Sequence, residues 1–328
     1  MSEKNIVNLA AEEPKAWQSA RSNRAGQKMD KSRLNLNSPR VAPYIFVLPF
    51  MLIFVIFFLY PIFSTILMSF QSVNINDIRF IGLDNYRALL ENTTLPIAIR
   101  NSVTYMVFTL LILIPFPVIL ACMLNSPSMR GSGFFRAVLF LPILCSIVVA
   151  GLTFRFLFNE TDTALVNNVI INLFGGERVR WLGLRWPAMA VLVILATWRW
   201  TGMNIIYFLS GLNNIPVELF EAAEVDGANA LQKFRYITLP LLMPTIIYVL
   251  TISIYGGLAM FVESHMLWAG RASPRNIGLT IVGFIYQYGV SHGDFGFASA
   301  AGLVLLVVVL GINLVQLRLT GIIGKENG

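Results

Sequence analysis

Six long apolar runs divide this chain, at residues 44–70, 102–124, 137–158, 187–212, 241–261 and 298–317. Each is close to or above the roughly 20 residues that a helix needs to cross the hydrocarbon core of a bilayer. A backbone in lipid must satisfy its N–H and C=O groups internally, so such runs cross as helices. The expected fold class is an all-α polytopic membrane protein with six transmembrane helices. Composition agrees, with 56% apolar and 12% charged residues, where a soluble domain carries about 25% charged residues. A soluble enzyme is therefore excluded. Disorder is excluded too, because 24 Phe, 10 Tyr and 6 Trp are too many for a chain that cannot collapse. The first run is not a signal peptide, since 43 residues precede it and it exceeds an h-region in length.

Lys and Arg positions predict the orientation. Eight of the 24 lie in the tail 1–43, and the loops 125–136 and 213–240 and the C-terminus bring that side to fourteen. The three opposite loops carry eight, and Arg155 and Arg199 fall inside runs. Positive charge stays inside, so both termini are expected in the cytoplasm of a multi-pass protein. The tail 1–43 reads as a basic segment that orients the first span and touches anionic membrane lipid. The stretch 321–328 reads as a short cytoplasmic C-terminal tail. No nucleic-acid partner is expected. Cys122 and Cys145 both lie in apolar runs and read as buried free thiols.

All 17 Asp and Glu lie outside the runs, Glu263 being nearest, two residues beyond the fifth. Ion-coupled carriers place carboxylates at mid-depth, so energy for any transport is expected to come from another subunit. Arg199 is the conspicuous charge, in Thr197-Trp198-Arg199-Trp200-Thr201-Gly202. It costs about 3 kcal/mol at the bilayer centre on insertion scales. Two readings stay open: Arg199 faces a substrate in a polar cavity, or it pairs with a backbone carbonyl or sits shallower. Pro115, Pro117, Pro244 and Gly256-Gly257 mark places where spans bend or pack closely.

Catalytic patterns fail on inspection. Gly324-Lys325 resembles the end of a phosphate loop, but Glu326 replaces Ser or Thr and Leu319 stands where the upstream Gly belongs. Ser291, His292 and Asp294 are crowded into one short stretch, whereas triad members meet in space. Two histidines and two cysteines offer no metal set at ligand spacing. Neither catalysis, a metal nor a cofactor of its own is expected of this chain.

The stretch 213–240 reads as two short helices around a glycine. Pro216 suits a first helical position, and Glu218 and Glu221 sit where the helix dipole favours them. Asp226-Gly227 ends that helix, Gly227 being able to take a left-handed conformation. A second helix is expected over 228–237, closed by Pro240. Ala222 and Ala223 leave a shallow surface that another protein can approach.

Glu221-Ala222-Ala223, three residues, Gly227, nine residues, Ile237, one residue and Leu239-Pro240 resemble, without a gap, the EAA signature of bacterial ABC importer permeases. The wider run from Gly211 to Ala228, with Tyr286 and Gly293-Asp294-Phe295-Gly296-Phe297-Ala298, is similar to the carbohydrate-uptake branch related to the maltose permeases. Resemblance covers roughly residues 40–320. Two features depart from it. Gly270-Arg-Ala-Ser-Pro274 stands for the branch's external Gly-Gly-Pro, and the 71–101 loop is too short for the large external insert of the maltose-type subunit.

The resemblance implies a type I ABC importer permease (MetI-like) fold in the bacterial plasma membrane, with 44–320 as the permease domain. It implies a second, different permease subunit, two ABC ATPases holding ATP and Mg, and an extracytoplasmic solute-binding protein that delivers a sugar. Glu221, Ala222, Ala223, Asp226, Gly227, Ile237, Leu239 and Pro240 would couple to the ATPase. Sugars offer hydroxyls and apolar ring faces, so Arg199, Trp200, Asn204, Tyr207 and Tyr255 are the candidates for the substrate path. A glycerol phosphate or a polyol is the alternative solute. An ion channel or intramembrane enzyme would need carboxylates or a catalytic pair in the spans.

Overall fold

The structure, a computed structural model, describes residues 42–320 apart from 75–76 and 127–128. Of the tails assigned to the cytoplasm, 1–43 and 321–328, all but residues 42 and 43 lie outside the described residues. The chain divides into two units, Met1–Ile62 and Phe63–Gly328. In the first unit begins the first span, α1 (Pro43–Met68). Phe50, Phe54 and Phe58 succeed one another at i, i+4 spacing, their ring centroids 6.2 and 5.8 Å apart. A π turn at Val55–Leu59 interrupts this helix.

The second unit opens with an antiparallel hairpin, β1 (Gln71–Asn74) and β2 (Asp77–Phe80), Gln71 facing Phe80. Helix α2 (Asp84–Glu91) follows, and its buried Asn85 donates to the carbonyls of Ser69 and Gln71, both at 2.9 Å. The second span, Leu95–Asn125, consists of α3 (Leu95–Leu113) and α4 (Pro115–Asn125). Next come α5 (Ser132–Leu144), α6 (Ile147–Leu157) and α7 (Leu165–Phe174). The fourth run forms α8 (Arg185–Asn213), followed by α9 (Val217–Val225) and the long α10 (Ala230–Leu258). Short helices α11 (Val262–Leu267) and α12 (Ile281–Tyr286) precede the last span, α13 (Phe295–Leu319).

Helix α8 is the most buried span and packs against α3, α4, α5 and α10. Toward its start, Leu192 and Leu195 share a core with Tyr105, Leu113, Phe154 and Leu267. Toward its end, Ile205 and Phe208 pack with Val118, Ala121, Leu242 and Val249. At Gly202 the backbones approach closely: a Cβ there would stand 2.0 Å from the Leu139 carbonyl oxygen of α5. Small residues permit such contact between membrane helices.

Three expectations need correction. Cys122 and Cys145 are free but not buried: Cys122 is half-buried and Cys145, at a helix break, is exposed. The third apolar run is not one continuous span: α5 and α6 meet at a bend of 94°, with Cys145 and Ser146 extended between them. Among the described residues, five helices are long and apolar enough to cross, and the bent pair makes up to six. Pro240 does not close a helix either. It lies inside α10, immediately after a π turn over Phe234–Thr238, where the Leu239 N–H reaches back to Phe234. The wider turn accommodates a residue that has no N–H to give.

Candidate functional site

The stretch 213–240 forms an elbow built by local chemistry. Gly227 has φ +75°, the left-handed conformation in which a side chain would be strained. Its N–H donates to the Glu224 carbonyl at 3.0 Å, and the Ala228 N–H to the Ala223 carbonyl at 2.9 Å. That pair is a Schellman ending of α9. Asn229 then starts α10 with a capping box: its side chain accepts from the Gln232 N–H at 2.9 Å, and the Gln232 side chain accepts from the Asn229 N–H at 2.8 Å. Lys233 and Glu224 close the elbow with an ion pair at 2.9 Å.

Of the EAA residues, Glu221, Ala222, Asp226, Gly227 and Pro240 are exposed, and Ala223, Ile237 and Leu239 are half-buried. Val217, Leu219, Val225, Leu231 and Tyr236 add exposed apolar surface around them. This surface sets exposed apolar side chains among the exposed carboxylates of Glu218, Glu221, Glu224 and Asp226, and is shaped by two capped helix ends.

At the other end of α10 lies a small inner cavity of about 120 Å³. Trp200, Asn204 and Tyr207 of α8 line it with Tyr105 and Thr109 of α3, Gly256 and Gly257 of α10, and Glu263 of α11. At about 30 Å³ per water, the cavity holds roughly four waters and no sugar ring in this conformation. Tyr255 does not line it, because one helical step turns the lining to Gly256.

Asn204 also has a structural task. Its amide donates to the Leu113 carbonyl at 2.9 Å, the acceptor that an unbroken helix would pair with the N–H of residue 117. Residue 117 is proline and has none. The polar side chain from α8 thus completes the broken ladder of the second span.

Arg199 does not line the inner cavity. Its Nη1 donates to the Cys145 carbonyl at 2.6 Å, at the break between α5 and α6, and its guanidinium lies 5.9 Å from the Trp200 ring centre. Of the two readings left open, the geometry places Arg199 on a backbone carbonyl. A stretch of α8 six residues long, Arg199 to Asn204, therefore patches two helix breaks.

Glu263 is the residue that sequence reasoning missed. Counted as lying beyond the fifth run, it returns on α11 into the inner cavity, where it is 7% exposed. Burial holds its carboxyl above the usual carboxylate range, opposed by a backbone hydrogen bond and by the charge of Arg199. The only available signal was its place just after Gly256-Gly257, where a short helix folds back.

Comparison with known proteins gives a consistent result. The profile of the binding-protein-dependent transport system inner membrane component matches residues 39–324. The chain is 48% identical over 284 residues to the arabinooligosaccharides transport system permease protein AraP of Bacillus subtilis (strain 168), covering 87% of this chain and 90% of that one. It is 32% identical over 275 residues to the lactose transport system permease protein LacF of Rhizobium radiobacter, covering 83% and 92%. Among solved structures, it matches a chain of a bacterial alginate ABC transporter in complex with an alginate pentasaccharide-bound periplasmic protein. That match has a TM-score of 0.75 and 29% identity, covering 87% of this chain and 95% of that one.

Proposed function

Because the chain belongs to the family of binding-protein-dependent transport system inner membrane components, and so is a permease subunit of an ABC importer, we propose that it carries a sugar or oligosaccharide delivered by an extracytoplasmic solute-binding protein. The names of its relatives, for arabinooligosaccharides and for lactose, support that solute class. So does the lining of the inner cavity, which sets the rings of Tyr105, Trp200 and Tyr207 beside Thr109, Asn204, Ser253 and Glu263 in a largely apolar wall.

In this reading the subunit pairs with a second, different permease and rests on two ATPases, which hold ATP and Mg. It has no catalytic role of its own. Both termini and the 213–240 elbow face the cytoplasm of a bacterial inner membrane. Glu221, Ala222, Ala223, Asp226, Gly227, Ile237, Leu239 and Pro240 form the docking surface for an ATPase. Trp200, Asn204 and Tyr207 contact sugar, joined by Glu263, while Arg199 holds the α5–α6 break and positions the wall behind them. Tyr255, one step off the cavity on α10, has no assigned contact.

The observation that carries the proposal is the continuity of α10. Its first turn belongs to the elbow, and its last turns supply Ser253, Gly256 and Gly257 to the inner cavity. Its 29 residues span roughly 40 Å at 1.5 Å per residue. A tilt imposed at the elbow by ATPase closure is therefore carried along a continuous helix to the cavity wall. Such movement widens a cavity that is too small for a ring, on the side open at that stage, and gives alternating access. ATP hydrolysis in the partners sets the direction.

The test is uptake by the importer assembled with its partner subunits in proteoliposomes. Loaded solute-binding protein is supplied outside and ATP inside, with arabinotriose as the first sugar. ATP-dependent accumulation is the expected result. Accumulation without ATP would overturn the coupling, and uptake of glycerol 3-phosphate in preference to any sugar would overturn the solute class.

A further inference from the structure

A second cavity, of about 280 Å³, lies beside the inner one on the opposite face of α11. The helix divides its side chains between the two. Ser264, His265 and Trp268, with Phe261 just before the helix, recur at the spacing of one helical face and line the outer cavity. Glu263 turns to the inner cavity. Both cavities lie at the end of α10 away from the elbow.

The outer cavity is a built site. The ring of Trp268 is held from two sides: its Nε1 donates to the Leu182 carbonyl at 3.2 Å, and its six-membered ring lies where a Cβ on Gly278 would be 2.1 Å away. The Ser264 hydroxyl donates to the Gly278 carbonyl. Asn101 of α3 donates to the carbonyls of Asn276 and Leu279, at 2.9 and 3.0 Å, fixing the loop that forms one wall. Phe261, His265 and Tyr286 form a three-ring cluster, with centroids 4.9 to 5.3 Å apart. Both histidines of the chain, His265 and His292, line this one cavity, and Arg271 supplies a cation at its rim. Among the described lining residues none is Asp or Glu. The rim itself is held in unusual backbone: Ala269 and Asn276 have φ of 52° and 57°.

Fixed aromatic faces beside a convergent set of hydrogen-bonding groups match what a sugar ring presents: apolar C–H faces and a girdle of hydroxyls. The volume lies just below the roughly 300 Å³ at which pockets for drug-sized ligands begin, which suits one ring and not a chain of them. We propose that this cavity is an outer sugar subsite, which holds one ring of the incoming oligosaccharide before it passes α11 to the inner cavity. Phe261, Trp268 and Tyr286 supply stacking faces, and Arg271, His265 and His292 supply hydrogen bonds to ring oxygens. Arg271 accommodates a carboxylated ring as well as a neutral one. The subsite rests on the sugar-permease reading and refines it.

The experiment measures arabinotriose binding to the assembled importer in nanodiscs, without ATP and without the solute-binding protein, by calorimetry. Four versions are compared: wild type, Arg271→Ala, Ala272→Trp and Met203→Trp. Arg271 and Ala272 are exposed, so their substitution spares the fold, and a melting curve of each complex checks this. Expected is a loss of binding of fivefold or more with Arg271→Ala and with Ala272→Trp, which fills the cavity. Met203 of α8 also lines the inner cavity, so Met203→Trp fills that cavity instead, and should keep binding within twofold while stopping uptake. Binding lost with Met203→Trp and unchanged in the other two variants overturns the outer subsite and leaves the permease reading intact. The same holds if wild type imports arabinotriose but does not bind it, or if Arg271→Ala weakens only docking of the sugar-free solute-binding protein. Failure of wild type to import arabinotriose or any other sugar counts against the permease reading, and the subsite falls with it.

Discussion

Lys233 and Glu224 face each other at 2.9 Å across the Gly227 turn, yet the carboxylate side of this pair is 77% exposed. An ion pair in that setting contributes about 0–1 kcal/mol. The elbow is therefore held by its backbone, through the Schellman ending and the capping box, more than by charge. The conformation of Gly227 should matter more than the ion pair.

Gly227→Val should leave the permease inserted while weakening ATPase co-purification and substrate-stimulated ATP hydrolysis. Nothing lies within 4 Å of an added Cβ, so the penalty is backbone strain, about 1–2 kcal/mol at φ +75°. That is too little to unfold the bundle but enough to re-aim α9. Lys233→Ala should change both readouts by less than twofold. Equal effects from the two variants would mean that charge, not backbone, shapes the elbow.

The bond from Asn204 to the Leu113 carbonyl permits a rescue experiment. Asn204→Leu leaves a buried acceptor unpaired and should lower stability by about 1–3 kcal/mol. Pro117→Ala returns an N–H four residues after Leu113. The double variant should therefore melt closer to wild type than Asn204→Leu alone. A double variant at least as unstable as the sum of the two single changes would show that the Leu113 carbonyl is satisfied in another way.

Two glycines separate packing from transport. Gly202→Val places a Cβ against the Leu139 carbonyl, a backbone atom that cannot swing aside. The amount of protein in membranes should fall severalfold. Gly256 has nothing within 4 Å of an added Cβ and lines the inner cavity. Gly256→Val should accumulate normally and import poorly. Normal import by that variant would argue that sugar passes elsewhere.

Glu263→Gln removes an ionisable carboxyl while keeping the shape. Whenever that carboxyl is ionised, it repels an anionic sugar entering the inner cavity, in a medium that screens poorly. The variant should raise uptake of galacturonate-containing trisaccharides relative to neutral ones, by several-fold in a competition assay. An unchanged ratio would remove Glu263 from the selectivity of the path.

Purified without its partners, the chain should neither bind nor hydrolyse ATP, since it lacks a phosphate loop. Nucleotide-binding titration and a phosphate-release assay on the lone subunit check this, and measurable turnover would contradict the assignment of energy supply to the ATPases.

Hydropathy made the crossings legible because burial in lipid demands apolar length and little else. It could not reveal the bend at Cys145. Both arms of that run are apolar, so an average over residues 137–158 passes smoothly through the break. Pro142 was the one local hint. Pro240 misled for a related reason: a missing N–H is usually a stop, but a π turn placed just before it lets the helix continue. Gly227 was legible because a single residue sets the conformation there. The cavity was legible only in part. Trp200, Asn204 and Tyr207 lie on a helix whose phase follows from its sequence, whereas Glu263 reaches the same space through a reversal of chain direction. Asn204's bond required knowing that Leu113 and α8 are neighbours, which no local pattern encodes.

The two patches made by Arg199 and Asn204 bear on how the protein is made. Both broken carbonyls, Leu113 and Cys145, belong to segments synthesised before α8. An unpaired carbonyl in hydrocarbon costs several kcal/mol, so neither break is comfortable in lipid until its donor arrives from a later part of the chain. The early spans must wait beside the insertion machinery, or in contact with water, until residues 199–204 enter the membrane. The expected course of biogenesis is release of a preassembled group of helices after α8 arrives; crosslinking of the early spans to the insertion machinery that ends before residues 199–204 emerge would contradict it.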